Sequence, residues 1–119
     1  MSRARGAEYE ALAARHLEAQ GLRILARNVC FRGGELDLVA EHGGTVVFVE
    51  VRYRASAAFG DASESVAARK QNRLVRAAEL YLARHPALAQ RPCRFDLVAI
   101  DGAAPPRLEW LRDAFRPEA

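Results

Sequence analysis

Residues 33 to 54, GGELDLVAEHGGTVVFVEVRYR, set carboxylates inside the most strand-like and most apolar part of the chain. A fold built on that stretch must either neutralise those acids or use them. The run Val46, Val47, Phe48, Val49 has the β-branched and aromatic character of a central strand. Such a strand ordinarily continues apolar or ends in a turn, yet this one proceeds into Glu50, Arg52 and Arg54. Upstream, Glu35 and Asp37 are set among Leu36, Leu38 and Val39. Glu41-His42-Gly43-Gly44 between the two runs is short and Gly-rich, the signal of a hairpin. With Ala40 opposite Thr45, Asp37 faces Phe48 and Glu35 faces Glu50, all on one face because side chains alternate with period two. Asp37 and Glu50 are then diagonal neighbours, roughly 7 to 8 Å apart at the backbone and within reach of one ion.

The other elements frame this hairpin. Residues 5 to 20 read as a first helix, with Tyr9, Leu12, Ala13 and Leu17 at helical spacing and Gly21 placed to end it. Glu10 falls at the edge of the apolar stripe. Residues 22 to 31 alternate as a first strand, 35 to 41 form the second and 45 to 53 the third. After a loop containing Phe59-Gly60, a long helix is expected over 62 to 84, with Asp61 or Ser63 as N-cap and Pro86 closing it. On it Lys70, Leu74, Ala77 and Tyr81 share the inward stripe, while Arg69, Arg73 and Arg76 form a basic stripe about 100° around the helix. That basic stripe is either a solvated face or a holder of phosphates. Strand four is Arg94 to Ile100, and Arg107 to Leu111 is a short fifth strand or a terminal turn. Asp96, a single acid near a strand start, reads as structural.

No repeat or linker divides the 119 residues, so one domain is expected. No apolar run approaches the about 18 residues that span a bilayer, and the N-terminus lacks a signal-peptide core. The expectation is a cytoplasmic protein without a membrane partner. Cys30 and Cys93 are isolated, which argues against zinc and, in that compartment, against a disulfide; both read as ordinary semi-buried cysteines. The net charge of +3 permits nucleic-acid binding without requiring it, and abundant Ala and Arg also fit a GC-rich genome.

Carboxylates gathered on adjacent strands repel, and burying them costs several kcal/mol unless a cation compensates. Magnesium takes oxygen ligands and uses only one or two protein carboxylates besides water and phosphate, which suits Asp37 and Glu50. Calcium-loop, Walker A, GxGxxG and HExxH patterns are absent. His16, His42 and His85 fall in a helix, a hairpin turn and a helix end, where a Ser/His/Asp arrangement is not expected. A metal held by oxygen beside cations suits phosphodiester hydrolysis, and Glu50-Val51-Arg52 puts such a cation next to the acid on one face.

The order of helix Glu, then Asp, then E-x-K on the next strand resembles the PD-(D/E)xK superfamily. This restriction-endonuclease-like α/β fold, a mixed central sheet flanked by helices, includes archaeal Holliday junction resolvases. More closely, GGELDLVA, VVFVEVRYR, Phe59-Gly60, Lys70-Gln71 and RFDLVAI followed by LEWLRDAF resemble the YraN family of bacterial proteins, from Gly6 to Phe115. The resemblance implies Asp37 and Glu50 as metal ligands for Mg²⁺ or Mn²⁺, the Val51 carbonyl as a third, and Glu10 joining directly or through water. It also implies DNA as substrate, branched or flapped DNA among the candidates, and a homodimer like that of the junction resolvases. One departure is Arg52 at the superfamily's lysine position, since arginine stabilises charge but cannot act as a general base. Lys70 is the expected replacement. Arg54, with the Arg69, Arg73 and Arg76 stripe, is the expected DNA contact, and Glu35 is expected to pair with Arg52 or Arg54 in preference to serving a second metal site. Three readings remain open: a metal-dependent endonuclease, a non-catalytic nucleic-acid-binding module, and an interaction component of a DNA repair or uptake machine.

Overall fold

The computed structural model describes residues 3–54, 68–102 and 104–117, apart from the side chains of 3–5 and 54. The expectations placed on Phe59-Gly60, Asp61, Ser63 and the start of the second helix lie outside the described residues, as does the side chain of Arg54. In chain order the elements are α1 (Arg3–Ala19), β1 (Arg23–Phe31), β2 (Gly34–His42), β3 (Thr45–Arg54), α2 (Ala68–Ala83), α3 (Pro86–Ala89), β4 (Cys93–Asp101) and β5 (Leu108–Phe115). The strands form one five-stranded sheet in sequence order. All neighbours are antiparallel except β3 and β4, which are parallel and joined through α2 and α3. The class is α/β, a mixed sheet flanked by helices.

β3 holds the centre because both of its faces are apolar. Val46 and Phe48 pack with Leu74, Ala77, Ala78 and Tyr81 of α2, while Val47 and Val49 pack with Ala13, Ala14 and Leu17 of α1. A strand covered by helices on both sides loses solvent along its whole length, as its near-continuous Val and Phe run anticipates. α1 stops where Gly21 adopts φ +96°: the Leu22 N–H reaches the Leu17 carbonyl and the Gly21 N–H the Glu18 carbonyl, satisfying the last carbonyls of the helix in a Schellman motif. α2 ends at Ala83, and Pro86 does not close it but opens α3, where its missing N–H is harmless.

The hairpin register differs from the expected one. Gly43 and Gly44, at φ +56° and +90°, form a two-residue turn, so His42 pairs with Thr45 and Ala40 with Val47. Two left-handed residues are what the tight hairpin needs, and only glycine adopts them without strain. The shift is two residues, so the faces are kept but the partners change. Gly34 has a different role, because a Cβ there would lie 2.6 Å from the Arg73 carbonyl oxygen. Its bare backbone lets α2 lie directly on β2.

At the far edge of the sheet, β5 extends well beyond the short segment expected. Asp96, 1% exposed, explains it by tying the two strands together. Its carboxylate accepts the Arg94 Nε–H at 3.0 Å, the Trp110 Nε1–H at 2.9 Å and the Asp113 N–H at 2.9 Å. Cys30 and Cys93 are exposed and not semi-buried. Among the described residues no helix is long and apolar enough to cross a membrane.

Candidate metal centre

The acids meet where the sheet comes apart. The β2–β3 ladder runs from His42↔Thr45 to Leu38↔Val49. Beyond that pair, the Val51 N–H is donated to Asp37 Oδ2 at 2.9 Å, so a side chain does what a neighbouring strand would otherwise do. On its other side Asp37 falls between the pairs Arg27↔Leu38 and Val29↔Leu36, opposite Asn28, whose φ is +51°. Alternation fails here. Leu36 packs on the α2 side although Leu38, two residues on, packs on the α1 side. Asp37 sits at this change of face, which turns it toward the gap between the strands.

Three elements deliver carboxylates to that gap. Ligand oxygens of Glu10 on α1 and of Glu35 and Asp37 on β2 all lie within 4.8 Å of one another. Glu50, on the α2 side of β3 and only 5% exposed, adjoins Asp37 and has its Oε1 3.3 Å from Lys70 Nζ. Burial, followed by the charge of Glu50 and a hydrogen bond with it, pushes the Asp37 carboxyl up to about 9, against the opposing pull of the Val51 N–H. Burial also raises Glu10, reinforced by the charges of Glu35 and Glu50 and opposed by a hydrogen bond from the Asn28 side chain. At neutral pH such a cluster holds either a proton or a cation. Its donors are all oxygen, which suits a hard divalent ion; among the described residues no histidine joins the cluster.

A sequence profile described as "Uncharacterised protein family UPF0102" matches residues 9–100. The chain belongs to that family. It is similar to a UPF0102 protein of Xylella fastidiosa, 61% identical over 112 residues, covering 93% of this chain and 91% of the relative. UPF0102 proteins of Xanthomonas campestris pv. campestris (58% identical, covering 94% of this chain and 91% of the relative) and Xanthomonas axonopodis pv. citri (54%, covering 96% and 93%) match over a similar span. This is also the YraN family that the sequence resembles.

The described residues singled out from this UPF0102 sequence fall into two groups. Glu10, Asp37, Glu50, Val51, Lys70 and Arg73 line one cleft, together with Glu35. Within it Glu10, Glu35 and Asp37 form the tightest group, and Glu50 stands beside Asp37 with its charge met by Lys70. Glu35 lies among acids and accepts a hydrogen bond from the Cys30 thiol at 3.5 Å; of the two arginines expected to pair with it, the side chain of Arg54 is outside the described residues. Arg52, half-buried on β3, and the exposed Arg69 and Arg76 are not part of the cleft lining. Asn28, Cys30 and Tyr53, which motif and spacing do not single out, also line the cleft. Asn28 carried a signal, since asparagine is among the non-glycine residues that most readily adopt a left-handed backbone.

Proposed function

We propose that the protein is a metal-dependent phosphodiesterase that cuts DNA endonucleolytically. The observation that carries this is the convergence of Glu10, Glu35 and Asp37 at the opening between β2 and β3, with Glu50 and Lys70 directly beside them. Magnesium or manganese bound there would supply a Lewis acid that lowers the pKa of water and offsets charge on the phosphoryl oxygens. Asp37, Glu10 and Glu35 are the oxygen donors that would hold it, with Glu50 completing the set once its bond to Lys70 is exchanged. The Val51 N–H keeps the Asp37 carboxylate aimed at the opening. Lys70, half exposed, reaches from Glu50 to a phosphate oxygen and stabilises the charge that builds as water adds to phosphorus and one P–O ester bond breaks. Arg73, on the next turn of α2, holds the neighbouring phosphate. Products are a phosphate monoester and a hydroxyl.

Arg52 at the superfamily's lysine position favours a second reading, a module that keeps the site but binds DNA without cutting it. One experiment separates the two. Labelled linear, single-stranded, flapped and four-way DNA are incubated with the protein in Mg²⁺, Mn²⁺ or EDTA, alongside Asp37→Asn and Glu50→Gln. The nuclease reading expects cleavage that EDTA abolishes and that each variant lowers by about 100-fold or more. Cleavage that persists in either variant overturns the site; salt-dependent binding with no cleavage, unaffected by both, establishes the binding module.

A further inference from the structure

The cleft has two chemically different walls. One is α2, with Lys70 and Arg73; the other is α1 against β3, where the rings of Tyr9 and Tyr53 stack with centroids 4.3 Å apart and planes 11° from parallel. The acids lie between. Deeper along the same helix, the contacts of α1 with the sheet are aliphatic, through Ala13, Ala14 and Leu17. The two tyrosine rings lie where this packing opens into the cleft, and both are half-buried and line it.

From this arrangement we infer that the Tyr9–Tyr53 stack is a base-stacking platform, so that the DNA this site takes carries an unpaired nucleotide at the acids. The inference rests on the reading of the cleft as a phosphodiester site. A phosphate placed at the acids leaves its neighbours to meet one wall or the other. The cationic wall suits the next phosphate, and the aromatic wall suits the flat face of a base, continuing a parallel stack by one ring. A base inside a duplex is already stacked on both sides and turned inward, so it cannot reach the tyrosines. A base in a single strand, a flap or a junction arm can. Stacking tolerates any base because each has a π-face, so the platform selects strand structure and not sequence.

The test is equilibrium binding by fluorescence anisotropy in EDTA, where no cleavage occurs, with a single strand, the matching duplex and a duplex bearing a single-stranded flap. A 2-aminopurine placed in the strand or flap reports stacking directly. The wild-type protein is expected to bind strand and flap about 10-fold more tightly than duplex and to quench the 2-aminopurine. Tyr53→Leu and Tyr9→Leu, which keep apolar volume in the α1–β3 contact, should each lose about 10-fold on strand and flap, with duplex binding unchanged; Tyr53→Phe should behave as wild type. Equal affinity of the wild type for strand and duplex overturns the inference, as does a preference that survives both leucine variants. Loss of affinity for all three DNAs in equal measure also overturns it, because that is a folding effect. Retained preference and quenching in a protein that never cleaves in Mg²⁺ would remove the nuclease reading and leave this one standing.

Discussion

Asp37→Asn should make the metal-free protein more stable. In the wild type the folded-state value of this carboxyl is pushed from its ordinary 3.8 to about 9, chiefly by burial and then by Glu50. A raised carboxyl binds its proton more tightly in the folded chain than in the unfolded one. Its contribution is therefore fully present below pH 3.8 and is lost as pH rises toward about 9. Across that window each pH unit removes up to about 1.4 kcal/mol, so at pH 7.5 the ceiling on the loss is about 5 kcal/mol. Asparagine keeps a carbonyl to accept the Val51 N–H and carries no titrating charge. We expect Asp37→Asn to recover about 2 kcal/mol or more at pH 7.5, which in a domain of this size raises Tm by several degrees, roughly 3 to 5 °C per kcal/mol. The assay is thermal unfolding between pH 5 and 9 in EDTA, repeated in excess Mg²⁺. Wild type should lose stability with rising pH in EDTA and regain it with Mg²⁺, because a cation that binds only the folded state stabilises it by mass action. The variant should show a flatter pH dependence and little response to Mg²⁺. A variant no more stable than wild type at pH 7.5, with an unchanged pH slope, would refute the claim that Asp37 is the strained member of the cluster.

Two further outcomes follow from the same geometry. Glu35→Gln should weaken Mg²⁺ binding in calorimetry by about tenfold or more, whether this carboxylate ligates the ion or supports a ligand that does, and unchanged affinity would return Glu35 to the surface. Gly34→Ala places a Cβ 2.6 Å from the backbone oxygen of Arg73, an atom that cannot swing aside, so α2 must shift on β2; we expect a loss of about 2 kcal/mol in urea unfolding, and an unmoved midpoint would show the contact to be loose.

The sequence made the elements legible where local chemistry decides them. Gly21 ended α1, the Gly43-Gly44 pair turned the hairpin, and the two-faced Val46–Val49 run marked the central strand. It was less informative where a distant partner decides. The extent of β5 depends on Asp96, whose carboxylate fixes the Asp113 N–H from another strand, and nothing in LEWLRDAF announces that bond. The site shows both cases. Acids within apolar strands mark Asp37 and Glu50 from sequence alone, but strict alternation on a continuous ladder does not hold at Asp37. The ladder stops at Leu38↔Val49 and the face changes between Leu36 and Leu38. Glu35, next to that break, lies beside Glu10 and Asp37, a neighbourhood that alternation alone does not show.

That break also says why the acids can be kept at all. A carboxylate inside an intact ladder would face either packed side chains or another strand's backbone, with no donor free to meet it. Where β2 leaves β3, the Val51 N–H is released and Asp37 takes it at 2.9 Å. The opening thus supplies the donor that fixes the acid and the space in which a cation can sit against it. Glu50 remains on a strand buried on both faces, so its position is set by the core, whereas Glu10 rides on α1 and is held through Asn28 and the neighbouring Tyr9–Tyr53 stack. The site therefore combines acids fixed by the sheet with one carried by a helix, and whatever engages the tyrosines acts on the element that positions Glu10.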